Sequence, residues 1–132
     1  MEAPNQQPET ILVVDGDVIT RTVIADYLRQ CGYRVIEAVN AWEAEQALNQ
    51  EGFDVDIILS DVDLPGEMNG FQLASWVRQN MPDVKVILSS AVERTASAAG
   101  DLCEEGPHLA KPYDPATVVD HIKRLRGGSD RS

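Results

Sequence analysis

The sequence predicts an α/β domain: a doubly wound, five-stranded parallel sheet with helices on both faces. Three observations lead there. Short apolar runs alternate with segments whose apolar residues recur at helical spacing. The runs are apolar at consecutive positions, as strands covered on both faces require. Capping and turn residues stand at most of the changeovers. Right-handed crossovers then put helices on both sides of one open sheet.

The elements follow in chain order. Residues 10–14 are a buried strand. A helix over 17–31 follows, with Val23, Ile24, Tyr27, Leu28 and Cys31 inward, Asp17 capping its start and Gly32 ending it. Residues 33–38 are the second strand. Asn40 caps a helix with Ala44, Ala47 and Leu48 inward, and Gly52 closes it. Residues 55–60 are the third strand, followed by the turn-rich Leu-Pro-Gly-Glu-Met-Asn-Gly. A helix over 71–80 turns Leu73, Ala74 and Val77 to one face. Residues 84–89 are the fourth strand. A weaker, alanine-rich helix over 93–105 has a thin apolar face of Ala96, Ala99, Leu102 and Cys103, and is expected to be the least firmly docked element. Residues 108–110 are a short fifth strand. Asp114-Pro115 starts the last helix, with Val118, Val119, Ile122 and Leu125 inward.

Residues 1–9 read as a loose arm, 10–126 as one domain and 127–132 as a frayed tail. A chain of 132 residues buries roughly two-thirds of its unfolded surface, enough for a core without staples. Apolar residues make up 43%, ordinary for a globular chain. No apolar run approaches the roughly 18 residues of a membrane span, and the start has no signal-peptide pattern, so the expected compartment is the cytoplasm. With 22 acidic against 11 basic residues the net charge is -11. That argues against nucleic acid or an anionic membrane as the main partner and favours cation binding where carboxylates converge. Cys31 and Cys103 show no ligand spacing and are expected to be free, partly buried thiols. Arg21, Arg29 and Arg34 are expected on a solvated surface. His121 should face solvent, and Trp42 and Trp76 should pack along helix faces.

In open α/β sheets the working site lies outside the carboxyl ends of the strands. Here the first strand ends in Asp15-Gly16-Asp17, the third in Ser60-Asp61 followed by Asp63, the fourth in Ser89-Ser90 and the fifth in Lys111-Pro112. Carboxylates, a hydroxyl and an ammonium should therefore converge on one edge. Hard oxygens suit Mg²⁺, and the lysine and hydroxyl could hold an anion beside it, which together make a phosphoryl-transfer site. Singly, each residue has a plainer reading: Asp17 and Asp63 as cap or turn residues, Ser90 as a turn residue, Lys111 as a solvated lysine. Asp61 follows a central strand, where its carboxylate needs a partner. The ordered set, not any single member, carries the signal.

Four segments in order, Ile-Leu-Val-Val-Asp at 11–15, Leu-Ser-Asp-Val-Asp-Leu-Pro-Gly at 59–66, Ile-Leu-Ser-Ser-Ala at 87–91 and Lys-Pro-Tyr at 111–113, closely resemble the receiver domain of two-component response regulators. The resemblance covers about residues 10–126. It implies a flavodoxin-like fold with five helices and strand order 2-1-3-4-5. It implies that Asp61 accepts a phosphoryl group from a histidine kinase or phosphotransfer protein. Asp15, Asp61 and the backbone carbonyl of Asp63 would hold Mg²⁺, with Asp17 a further candidate. Ser90 would bond the phosphoryl oxygen and move on activation, shifting the surface of the fourth helix, fifth strand and fifth helix. Lys111 would pair with the phosphoryl group, and its bond to Pro112 would be cis. Three positions depart from the family pattern. Gly16 replaces a second acidic residue that contacts the metal. His108 replaces a Tyr or Phe switch residue and is a candidate switch itself, the other readings being a surface or a packed core histidine. The loop from Asp61 to Gly70 is one residue longer.

The expected function is that of a stand-alone receiver, since only a short tail follows Leu125. It would act as a monomer or weak homodimer, signalling through another protein or by phosphorelay. It would turn over only the phosphoryl group on its own Asp61 and act on no external substrate. Two alternatives remain. Gly16 suggests a degenerate receiver acting as a phosphorylation-independent binding module. Asp61-Val62-Asp63 also resembles the nucleophile motif of haloacid-dehalogenase-type phosphatases, although Leu-Pro follows and the chain leaves no room for a cap domain.

Overall fold

A computed structural model describes residues 9–105 and 114–127. Four strands form where the apolar runs lie: β1 (Thr10–Val14), β2 (Arg34–Ala38), β3 (Ile57–Asp61) and β4 (Lys85–Ser89). They pair in parallel in the order β2-β1-β3-β4. Five helices connect or follow them: α1 (Val18–Gln30), α2 (Ala41–Asn49), α3 (Gly70–Asn80), α4 (Val92–Glu105) and α5 (Pro115–Gly127). The expected fifth strand at 108–110 lies outside the described residues, as do His108, Lys111 and the bond to Pro112.

The helix starts follow their caps. The Asp17 carboxylate accepts from the Thr20 amide at the head of α1. Asn40 does the same for Glu43 in α2. Asn69 and Gln72 form a reciprocal capping box at α3. After α1 the chain reverses through Gly32 at φ +103°, a conformation that a side chain would strain. The third strand begins at Ile57 rather than residue 55. Asp54 sits at φ +50°, and the Asp56 carboxylate accepts from the Thr10 amide, 2.8 Å, so these residues form the approach to the strand.

Alternate residues of the central strands feed opposite faces. Ile11, Val13, Ile57 and Leu59 meet α1, α4 and α5, whereas Leu12, Val14 and Ile58 meet α2 and α3. β1 is buried throughout. Truncating a core leucine such as Leu59 or Leu73 would cost about 2–5 kcal/mol.

Several expectations are corrected. Cys31 and Cys103 are not free thiols: they form a disulfide, and both are 1% exposed. They stand 72 positions apart in sequence, but Cys31 caps the end of α1 and Cys103 lies in the last turns of α4, and the fold brings the two helix ends together. α4 buries the thin face expected of it, and it is also cross-linked to the end of α1. Trp42 is 67% exposed because it stands at the start of α2 with Ala41 and Ala44 taking the inward positions; Trp76 packs against the core as expected. Arg21 is half-buried and bonded to Glu37 and the Asp15 carbonyl. Arg29, exposed as expected, binds Asp26, Glu37 and the Val35 carbonyl. His121 is exposed, as expected.

Candidate functional site at the carboxyl edge of the sheet

Parallel pairing aligns the strand ends, so the residues after β1 and β3 meet at one edge. Asp15, Asp17, Asp61, Asp63 and Ser90 all line one cleft of about 260 Å³, together with Thr20, Thr95 and Arg126. On its other side the same carboxylates border a shallower hollow with Gly16, Leu64 and Pro65.

Asp15 is the buried member, 6% exposed. Its amide donates to the Ala38 carbonyl, 3.0 Å, and its own carbonyl accepts from the Arg21 guanidinium, 2.9 Å. Its Oδ1 accepts from the Asp17 amide, 2.9 Å. Burial, then the charges of Asp61 and Asp17, push its carboxyl up to about 6 despite that hydrogen bond. Asp61 is also raised, chiefly by burial and further by the charges of Asp63 and Asp17. Its Oδ1 accepts from the Asp63 amide, 3.1 Å.

Asp17 behaves differently. Burial pushes it up, but the Thr20 hydroxyl and amide and the Arg126 guanidinium outweigh that and hold it below its ordinary value. Its Oδ2 serves all three groups, with Arg126 at 3.4 Å. This carboxylate therefore caps α1 and pairs with α5, besides facing the cleft.

Two glycines set the backbone around these groups. The Gly70 amide donates to the Val62 carbonyl, 2.8 Å, and closes the 62–69 loop. A Cβ at Gly70 would lie 2.3 Å from the Asp61 carbonyl oxygen and 2.8 Å from Val62 Cα, so only glycine permits this approach behind Asp61. A Cβ at Gly16 would lie 2.8 Å from Pro65 Cδ. The position that departs from the acidic pattern is thus packed against the long loop.

Just after β4, Ser90 is exposed at the cleft edge. Behind it, the buried Ser89 and Thr95 hydroxyls share a hydrogen bond of 2.6 Å, and Thr95 also donates to the Ala91 carbonyl. The sequence alone does not mark Thr20, Arg21, Gly70, Thr95 and Arg126 as site residues. For Thr20 a signal existed, three residues after a capping Asp. For Arg126, near the far end of the last helix, none did.

Among the described residues, no three His, Cys, Asp or Glu side chains gather closely enough to hold a metal alone. Asp15 and Asp61 nevertheless fit a small hard cation. Their ionised forms are disfavoured by burial and mutual repulsion, and Mg²⁺ commonly takes one or two carboxylates and keeps several waters.

Residues 11–123 match the family described as response regulator receiver domain. The aerobic respiration control protein ArcA of Escherichia coli strain K12 is 25% identical over 119 residues, covering 90% of this chain and 49% of that protein. The DNA-binding transcriptional regulator NtrC of Azospirillum brasilense is 34% identical over 122 residues, covering 87% of this chain and 24% of that protein. The chain therefore spans no more than about half the length of these relatives. Among solved structures, the signal receiver domain of an HD domain-containing protein from Pseudomonas fluorescens aligns over 95% of this chain and 96% of its own, with TM-score 0.60 and 23% identity. The complex of histidine kinase ThkA with response regulator protein TrrA aligns over 64% of this chain and 70% of that chain, with TM-score 0.57 and 30% identity.

Proposed function

Since the chain belongs to the response regulator receiver family of two-component signalling, we propose that it accepts a phosphoryl group on Asp61 from a histidine kinase or phosphotransfer protein. One observation supports this above others. Asp61 stands at the end of β3, between β1 and β4, and shares a cleft with Asp15, whose carboxyl is pushed up to about 6. Negative charge is concentrated there against its own repulsion, which a bound cation would relieve.

In this reading an Asp61 carboxylate oxygen attacks phosphorus of the phosphohistidine. The new O–P bond forms as the N–P bond breaks, and its electron pair leaves with the imidazole. Asp15 and Asp61 would hold Mg²⁺, which when bound neutralises charge on the transferred group. The Asp63 amide positions Asp61 through its bond to Oδ1. Ser90 at the cleft edge donates its hydroxyl to the phosphoryl oxygens, and Lys111, by its match to the family motif, supplies a cation. Asp17, bound to Thr20 and Arg126, keeps the head of α1 in place. Ser90 would carry the change to the segment that follows it.

The chemistry on Asp61 is the domain's only turnover, and its output passes through contacts with a downstream protein or by relay. The kinase bound to TrrA in a similar structure supports such a partner. The charge of -11 supports a domain that itself avoids nucleic acid and anionic membrane. Among the described residues no helix is long and apolar enough to cross a membrane.

Incubation with a small acyl phosphate and Mg²⁺, followed by intact mass, tests the reading. One added phosphoryl group is expected, lost in Asp61→Asn and weakened without Mg²⁺. Equal labelling of Asp61→Asn would overturn the assignment. A second reading, a receiver that binds partners without phosphate, draws on Gly16 and on the Pro65 ring packed over it. An unlabelled parent chain would favour it.

A further inference from the structure

The disulfide lies far from the acidic cleft along α4, and the proposed chemistry makes no use of it. Cys31 closes α1, and Cys103 sits two residues from the end of α4. Beside it the buried Tyr33, just before β2, donates its hydroxyl to the Leu102 carbonyl. The carboxyl end of α4 is therefore tied twice to one corner of the fold. The amino end of α4 is the cleft wall: Val92 and Thr95 line it with Ser90, and Thr95 is bonded to Ser89 at the end of β4. Between these ends the inward face is mostly small, Ala96, Ala99 and Gly100, with Leu102 as its large side chain. Alanine and glycine each bury little apolar area, so a covalent tie adds substantially to the packing of this face. Its ion pair to α5, Glu93 with Lys123 at 2.8 Å, is exposed and contributes little.

From this placement we propose that Cys31–Cys103 is a redox-controlled latch on α4. Oxidised, it clamps the carboxyl end of the helix to α1. Reduced, that end loses its covalent tie to α1 and keeps noncovalent contacts, among them the Tyr33 hydrogen bond and the buried Leu102, and the helix that forms the cleft wall gains freedom along its length. The exchange balances as a dithiol–disulfide reaction. A thiolate of an external dithiol attacks one sulfur and forms a mixed disulfide, releasing the other cysteine as a thiolate that takes up a proton. The second thiol of the reagent then closes on the first, leaving two cysteine thiols and the reagent as a disulfide. Both sulfurs are buried, so attack requires the last turn of α4 to lift. A reducing compartment strengthens the case, because there a disulfide is more often transient than structural. That last point rests on the receiver reading, whereas the latch itself does not.

The test uses the full oxidised chain and no phosphoryl donor, so it is independent of whether Asp61 is labelled. Hydrogen exchange is compared before and after dithiothreitol, with intact mass confirming the gain of two hydrogens. Amides of residues 99–105 should exchange roughly ten-fold faster on reduction, with a smaller rise at 92–95, while β1 and β3 stay protected. The Cys31→Ser, Cys103→Ser double variant should match the reduced protein and ignore dithiothreitol. Unchanged exchange in α4 would overturn the latch. So would a uniform rise that includes β1 and β3, or loss of the cooperative unfolding transition on reduction, because the bond would then be a staple of the whole fold.

Discussion

Replacing Asp15 by Asn should make the metal-free protein more stable at neutral pH, although it removes a residue of the site. The carboxyl is pushed from its ordinary 3.8 to about 6 by burial and by the nearby Asp61 and Asp17 charges. At ~1.4 kcal/mol per tenfold, that rise corresponds to about 3 kcal/mol against the ionised form. The carboxyl borders an open cleft, so solvent screening reduces the usable figure to about 2 kcal/mol. The folded state keeps this proton more tightly than the unfolded chain does. Its stabilising share is fully present below pH 3.8 and is lost as pH rises through 6. Asparagine keeps an oxygen for the Asp17 amide and carries no charge. Urea unfolding at intervals from pH 4 to 7 should show Asp15→Asn ahead by about 2 kcal/mol at pH 7 and level with the parent near pH 4. Magnesium should narrow the gap at pH 7 by stabilising the parent alone. A variant less stable than the parent at pH 7, or equally ahead at both ends of the range, would refute the reasoning.

Other substitutions probe the neighbouring backbone and caps. Gly70→Ala drives a methyl group to 2.3 Å from the Asp61 carbonyl oxygen, and should cost about 1–3 kcal/mol in urea unfolding and slow labelling of Asp61 by acyl phosphate. Gly16→Asp, which restores the missing acid, meets Pro65 Cδ at 2.8 Å, so calorimetry should show tighter Mg²⁺ binding only when paired with Pro65→Ala; a large gain from Gly16→Asp alone would show that the loop yields freely. Thr20→Val removes the hydroxyl bound to Asp17 and should destabilise by about 1 kcal/mol, with the Asp17 carboxyl, followed by carbon-13 NMR titration, moving up.

The sequence by itself determined the elements and the identity of the carboxylate edge. Strands buried on both faces leave consecutive apolar residues, so β1 and β3 were legible, and their ends placed Asp15, Asp61 and Asp63 together. Local chemistry also shows locally: Asp17, Asn40 and Asn69 cap the helices that their positions announce. What only the tertiary structure decided depends on distant segments meeting. Cys31 and Cys103 carry no spacing signal across 72 residues, because a disulfide needs only two converging helix ends. Arg126 reaches Asp17 because α5 ends beside the head of α1, and this contact, with Thr20, pairs a carboxylate that also faces the cleft. Gly16 reads in sequence as a missing acid, whereas in space it is the room taken by Pro65. In each case the chain supplies the group, and packing between elements far apart in sequence sets what that group touches.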